Sequence, residues 1–173
     1  MWYTKVYEYH ADAGMKKMPP SAIRKITLLD LPHIVDMEHQ CFSKEIAYSP
    51  KQLKYLITKA HSTCLTEIAQ DILRGFIIVL YKKGTQVAGI ETLNVHPLFR
   101  GQGIGKTLLR AAEDEMFLRD VRRVRLEVSV GNHGAIKLYE RMGFYIAALL
   151  PEYYHHYHFG SRDAYRMVKH LTT

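Results

Sequence analysis

Apolar residues recur along this chain at two periods, and the switches between them divide it into elements. Residues 22–28 alternate as a short strand. Asp30 then stands where a helix cap belongs, ahead of Leu31, Ile34, Val35 and Met37 at helical spacing. Residues 42–50 interrupt the pattern, and Gln52, Leu53, Leu56 and Ile57 resume it as a second helix. Strand-like runs follow at residues 63–69, 73–81 and 87–95, set apart by turn residues such as Lys83-Gly84-Thr85. Pro97 breaks the chain before a glycine-rich stretch, after which Leu108, Leu109, Ala112 and Met116 repeat as a helix. Residues 125–130 read as a strand. Ala135, Ile136, Tyr139 and Met142 form a helical stripe that Gly143 stops. Residues 144–149 and 164–168 read as a closing strand pair.

The predicted order is strand, two helices, three strands, helix, strand, helix, two strands. A helix joining two strands of one sheet favours a parallel pair, and the meander before it favours antiparallel pairing. The expectation is an α/β (α+β) chain with a mixed, mostly antiparallel sheet of about six to seven strands and helices on both faces. Residues 1–20 read differently. Trp2, Tyr3, Val6, Tyr7 and Tyr9 crowd into a polar segment that ends in Met18-Pro19-Pro20. An added strand, a contact arm and a loose tail all fit it, and Met15 or Met18 is an alternative start. Residues 21–173 are expected to form one domain.

Composition narrows the class. The 173 residues suffice for one domain with a core, and the apolar fraction of 47% is ordinary. No apolar run is long enough to span a bilayer, and the N-terminus lacks the apolar core of a secretory signal. A cytoplasmic location is the default expectation. The two cysteines, Cys41 and Cys64, have neither a disulfide framework nor zinc spacing and read as reduced thiols. A net charge of +7 suits polyanionic ligands or a ribosomal surface. The basic residues are scattered, however, and the densest group, Arg119, Arg122, Arg123 and Arg125, reads equally well as a solvated helix end and turn. A nucleic-acid substrate would require interleaved aromatics or a known motif, and neither is found.

The stretch RGQGIGKTLL, from Arg100, carries the candidate chemistry. It resembles a phosphate loop, but Arg100 occupies the place of the leading glycine. The dinucleotide fingerprint fails at Lys106, where its third glycine belongs. What remains is a glycine-rich turn that opens a helix. Such a turn offers unpaired N–H groups and a positive dipole end to an anion. Gly101, Gly103 and Gly105 would let the backbone approach a diphosphate, and Lys106 adds charge. The same glycines would also serve simply to shape a tight strand-to-helix turn.

TLNVHPLFRGQGIGKTLL resembles the acetyl-CoA motif of the GNAT acetyltransferases, Arg/Gln-x-x-Gly-x-Gly/Ala after a strand ending in Val-x-Pro. RLEVSVGNHGAIKLYERMGF resembles a second segment of that superfamily. Both are most similar to the RimI and NatA-catalytic-subunit branch of N-terminal acetyltransferases, as are Tyr153-Tyr154 and Ser161-Arg162-Asp163-Ala164. The resemblance covers about residues 87–168. It implies a GNAT fold whose sheet is splayed in the middle, with acetyl-CoA as co-substrate. It implies cofactor contacts from the backbone of Leu93, Asn94 and Val95, from the loop Arg100, Gly101, Gln102, Gly103, Ile104, Gly105 and Lys106, and from Asn132, which also suits a local helix cap.

The resemblance assigns Glu127 as general base and Tyr139 as general acid, with direct transfer and no acyl-enzyme. A base is needed because an ammonium has no lone pair, and an α-amine, with an intrinsic pKa of about 8, needs only modest help. Glu127 lies in an apolar strand, where a buried carboxylate would have a raised pKa. Taken without the resemblance, it reads as the polar face of a half-exposed strand, opposite Leu126 and Val128. Tyr139 reads as core packing on its helical stripe, as a phenol near the departing sulfur, or as both. Main-chain N–H groups near Asn94 and Val95 would polarise the thioester carbonyl.

For the substrate, the resemblance points to the first helix–helix turn, with Glu45, Ile46 and Tyr48, and to Tyr153 and Tyr154 in the last loop. The first turn departs from the family pattern, and Gly89 stands where some relatives carry histidine. His155 and His158 lack a further ligand at a recognised spacing, so no metal is expected. The implied function is acetyl transfer to protein or peptide N-termini, with proximity to the ribosome as a further expectation. The alternatives are acetylation of a lysine, polyamine or other small amine, a non-catalytic CoA-binding module, and an ATPase.

Overall fold

The computed structural model describes residues 21–171, so the readings of residues 1–20 lie outside the described residues. The elements follow the expected order. They are β1 (Ala22–Lys25), α1 (Leu31–Cys41), α2 (Pro50–Thr58), β2 (Ser62–Ala69), β3 (Ile72–Tyr81), β4 (Val87–Val95), α3 (Ile104–Phe117), β5 (Arg123–Ser129), α4 (His133–Arg141), β6 (Tyr145–Leu150) and β7 (Ala164–His170). Short 3-10 turns at Leu28–Asp30 and Pro97–Phe99 precede α1 and the glycine loop.

β1 is shorter than its apolar pattern, because the chain turns at Thr27. Asp30 does not cap α1 through its side chain. Its carboxylate reaches back to the Thr27 N–H at 2.8 Å and accepts a fork from Arg24 at 2.7 and 2.8 Å. That guanidinium pulls the Asp30 carboxyl down to about 2, against the opposing effect of burial. At the start of α2, Ser49 and Gln52 form a reciprocal capping box, with Pro50 in the first turn.

All seven strands form one sheet in the order β1-β2-β3-β4-β5-β7-β6. Neighbours among the described residues are antiparallel except β4 and β5, the pair that α3 connects. The closing pair forms as expected, and β7 inserts between β5 and β6. Helices cover both faces. Leu108, Leu109, Ala112 and Met116 of α3 pack with Ile77, Val79 and Leu126 on one side. Ile34 and Met37 of α1 and Leu53 and Leu56 of α2 pack with Phe76 and Ile78 on the other. Phe76, Ile77, Ile78 and Val79 are all fully buried, which explains why β3 reads as a continuous apolar run. Among the described residues, no helix is long and apolar enough to cross a membrane.

Candidate active site

The site begins with a defect in the sheet. β4 and β5 pair only at Val87↔Arg123, Ala88↔Val124 and Gly89↔Arg125. Just past Gly89 the β3–β4 register shifts, with Val79 opposite Ile90 but Ile78 opposite Thr92. Glu91 is therefore an extra residue, a bulge that bends β4 away from β5. The gap leaves ladder groups unused. His96 gives its N–H to the Arg74 carbonyl on β3 at 2.9 Å. Alternation then turns the N–H and C=O of Val95 and Leu93 toward the gap. Asn94, expected to join them, faces β3 with its main chain. Its side-chain amide donates to Glu38 at 2.5 Å.

A cleft of about 580 Å³ runs from this gap to the glycine loop. Leu93, Ile104, Leu138, Met142 and Phe159 give it apolar walls, and Gly101, Gly103 and Lys106 line its other end. Gly103 forms the N-cap of α3. Thr107 is the first residue of the helix to reach a carbonyl, that of Gly103 at 3.0 Å, so the N–H groups of Ile104, Gly105 and Lys106 have no intrahelical acceptor. Such a cleft fits an elongated carrier with a diphosphate tail.

The glycines serve two ends. Gly101 and Gly103 sit at φ 77° and 81°, in the left-handed region. Gly105 instead makes room for α4, since a Cβ there would lie 3.0 Å from Leu138 Cδ2. Of the loop, Arg100 lines the cleft together with the glycines and Lys106. Gln102 is exposed and does not line the cleft. Arg100 turns back, its Nε donating to the Val95 carbonyl at 3.2 Å, so its charge braces the end of β4.

A second cleft, of about 430 Å³, meets the first at Phe42, Leu93, Asn132, Ala135 and Tyr139. Asn132 caps α4, its Oδ1 accepting from the Ala135 N–H at 3.2 Å, so the cap and the junction share one residue. Tyr139 is buried and its ring meets Phe144 edge-on at 5.8 Å. Its hydroxyl has no hydrogen-bond partner among the described residues, and burial, with Tyr154 adding to it, pushes the phenol well above its usual range.

Glu127 lines the second cleft, on the face of β5 opposite the buried Leu126 and Val128. The apolar surroundings expected for it are absent. Arg166 Nε lies 2.7 Å from its Oε1, and Arg125 approaches to 3.8 Å.

All the expected substrate residues line this cleft: Glu45, Ile46 and Tyr48 from the α1–α2 turn, and Tyr153 and Tyr154 from the β6–β7 loop. The Tyr48 hydroxyl donates to Glu91 on the bulge. Its N–H donates to Glu38 at 3.1 Å. The rings of Tyr153 and Tyr154 meet edge-on at 5.0 Å. The last loop is moored to β5 by Ser129, whose hydroxyl donates to the His158 carbonyl at 2.6 Å. His158 packs its ring on Phe42 and Tyr154 at 5.3 and 5.0 Å, and burial holds its pKa down.

Sequence reasoning missed Glu38, Glu91, Arg166 and Phe159. Glu38 was visible as a carboxylate on the apolar stripe of α1, between Ile34 and Cys41. It is 1% exposed, and burial pushes its carboxyl up. Cys41 also lines the first cleft, its Sγ 3.6 Å from the Val95 carbonyl.

A carrier cleft and a reactant cleft that meet at one tyrosine, with a carboxylate lining the second, suit group transfer between two bound molecules. The profile of the acetyltransferase (GNAT) family matches residues 31–144, and the chain belongs to that family. It is an acetyl-CoA-dependent N-acetyltransferase. The N-alpha-acetyltransferase RimI of Mycobacterium tuberculosis is 29% identical over 150 residues, 86% of this chain and 91% of that protein. N-alpha-acetyltransferase 30 of Schizosaccharomyces pombe is 29% identical over 134 residues, 75% and 87% of the two chains. The crystal structure of the ribosomal-protein-S18-alanine N-acetyltransferase from Escherichia coli matches with a TM-score of 0.79 at 25% identity, covering 89% of this chain and 96% of that one.

Proposed function

We propose that this chain acetylates the free α-amine of protein or peptide N-termini. The observation that carries the reading is the second cleft, walled by the α1–α2 turn and the β6–β7 loop and meeting the carrier cleft at Tyr139. Tyr48, Tyr153 and Tyr154 offer ring faces and hydroxyls suited to a peptide main chain. The relatives named above, two of them N-alpha-acetyltransferases, support it. The expectation of a cytoplasmic enzyme working near ribosomes belongs to this reading, as does one domain over residues 21–173.

Acetyl-CoA supplies an acetyl thioester whose sulfur departs. The residues around the gap do the rest. N–H groups of Ile104, Gly105 and Lys106 hold the phosphates, and those of Leu93 and Val95 face the arm and the carbonyl. Glu127, fixed by Arg166, takes the proton of the incoming ammonium, directly or through one water. The nitrogen lone pair attacks the carbonyl carbon, the C–S bond breaks as the Tyr139 hydroxyl hands its proton to the sulfur, and the acylated nitrogen sheds its second proton, which restores the Tyr139 phenol directly or through water. A phenol raised by burial stays protonated at neutral pH, as an acid must.

Peptides carrying both a free N-terminus and an internal lysine test the proposal. After incubation with acetyl-CoA, fragmentation mass spectrometry is expected to place the acetyl on the α-nitrogen. Acetylation at lysine side chains alone would overturn it.

A further inference from the structure

Where the reactant cleft ends, another groove begins. It encloses about 460 Å³ and shares Ile90, Glu91 and Glu127 with that cleft. A missing side chain opens it. Gly89 lies between Leu80 on β3 and Arg125 on β5. The nearest atom to a Cβ built there is Arg125 Nε, at 4.0 Å.

The charges along this groove are ordered. Arg123, Arg125 and Glu127 share one face of β5 by its two-residue period. At the catalytic end Glu127 is neutralised by Arg166, and Glu91 accepts the Tyr48 hydroxyl. At the far end Lys82 and Arg123 are exposed and line the groove without an ion pair among the described residues. Four strand steps separate Glu127 from Arg123, roughly 13 Å at ~3.3 Å per residue. An extended peptide spans that distance in about the same number of residues.

We propose that this groove receives the segment behind the reactive amine and selects acidic side chains at about the third to fifth positions of the substrate. The proposal rests on the N-terminal reading above and deepens it. A substrate with a positive N-terminus and a negative side chain a few residues on matches the groove's polarity end to end. Nucleic acid fits less well, because its phosphates would meet Glu91 and Glu127 and the groove lacks a row of stacking aromatics.

The test is steady-state acetylation of peptides identical except for Asp, Ala or Lys at positions three to five, with the acetylated nitrogen located by mass spectrometry. The acidic peptide is expected to show a KM about three- to tenfold below that of the alanine peptide at similar kcat, with the difference shrinking in 0.5 M salt. In the charge-reversed K82E/R123E variant the preference is expected to swing to the lysine peptide, a gain that misfolding would not produce. Equal KM values for all three peptides, with acetyl on the α-nitrogen, would overturn the groove's role and leave the N-terminal reading standing. Absence of α-nitrogen acetylation in every peptide would overturn both. Competitive inhibition by a short RNA with no discrimination among the peptides would reassign the groove to nucleic acid.

Discussion

Arg166 on β7 sets its Nε 2.7 Å from Oε1 of Glu127, its direct cross-strand partner on β5. The proposed base is thus aimed by a neighbouring strand. Glu127→Gln keeps the shape and removes the proton acceptor. It is expected to lower kcat on an N-terminal peptide about 10²-fold at neutral pH. Calorimetry should find CoA binding unchanged, because Glu127 does not line the carrier cleft. An unaltered kcat would remove Glu127 from the mechanism.

Tyr139→Phe separates the hydroxyl from the ring. The hydroxyl has no hydrogen-bond partner among the described residues, so stability is expected to change by less than about 0.5 kcal/mol in urea unfolding. The loss of the proton donor is expected to reduce kcat about 10- to 10²-fold. A large stability loss with normal kcat would mean that the tyrosine serves only as packing.

Gly131→Ala probes the mooring of the last loop. A Cβ at Gly131 would lie 1.9 Å from the Phe159 carbonyl oxygen, so main chain must move. The displaced loop carries Tyr153 and Tyr154. The expected result is a peptide KM raised several-fold, with a stability cost of about 1–3 kcal/mol. Retention of both parameters would show that the loop is not held there.

The Arg24–Asp30 fork gives a pH-dependent contribution to stability. Arg24 lowers the Asp30 carboxyl to about 2 from an ordinary value near 4. A depressed carboxylate stabilises the fold fully above the unfolded value and loses that contribution as pH falls toward the folded one. Asp30→Asn is therefore expected to cost about 1 kcal/mol at pH 7, discounted because the Arg24 side chain is 41% exposed. The gap between the two proteins in urea unfolding should hold at pH 5 and narrow at pH 3. A gap independent of pH would show that the Asp30 charge does not supply the loss.

Periodicity was enough to place nearly every element, because each buries one face and its apolar residues repeat at the period of its geometry. What it could not carry was adjacency. Nothing in the run Ala164–His170 says that it lies between β5 and β6, so the Glu127–Arg166 pair could not be read from sequence. Asp30 sat where a cap belongs, but Arg24 and the Thr27 N–H reached its carboxylate first. Gly105 looked like part of a phosphate cradle, while its crowding against Leu138 appears only once α3 and α4 are packed. The loop motif was legible because local main-chain geometry demands those residues. Glu91 was not, because its partner, Tyr48, comes from a distant segment.

β4 and β5 pair as ladder partners at three positions only, Val87, Ala88 and Gly89 with Arg123, Val124 and Arg125. The molecule is in effect two half-sheets joined by a short seam, and whatever lodges in the wedge grips both halves as a clamp. Such a seam is the easiest line along which to pry the protein apart, and amide exchange should run fastest along its margins. The reactant that brings the acyl group would thereby stiffen the machine that consumes it, and each turnover would end with the clamp released.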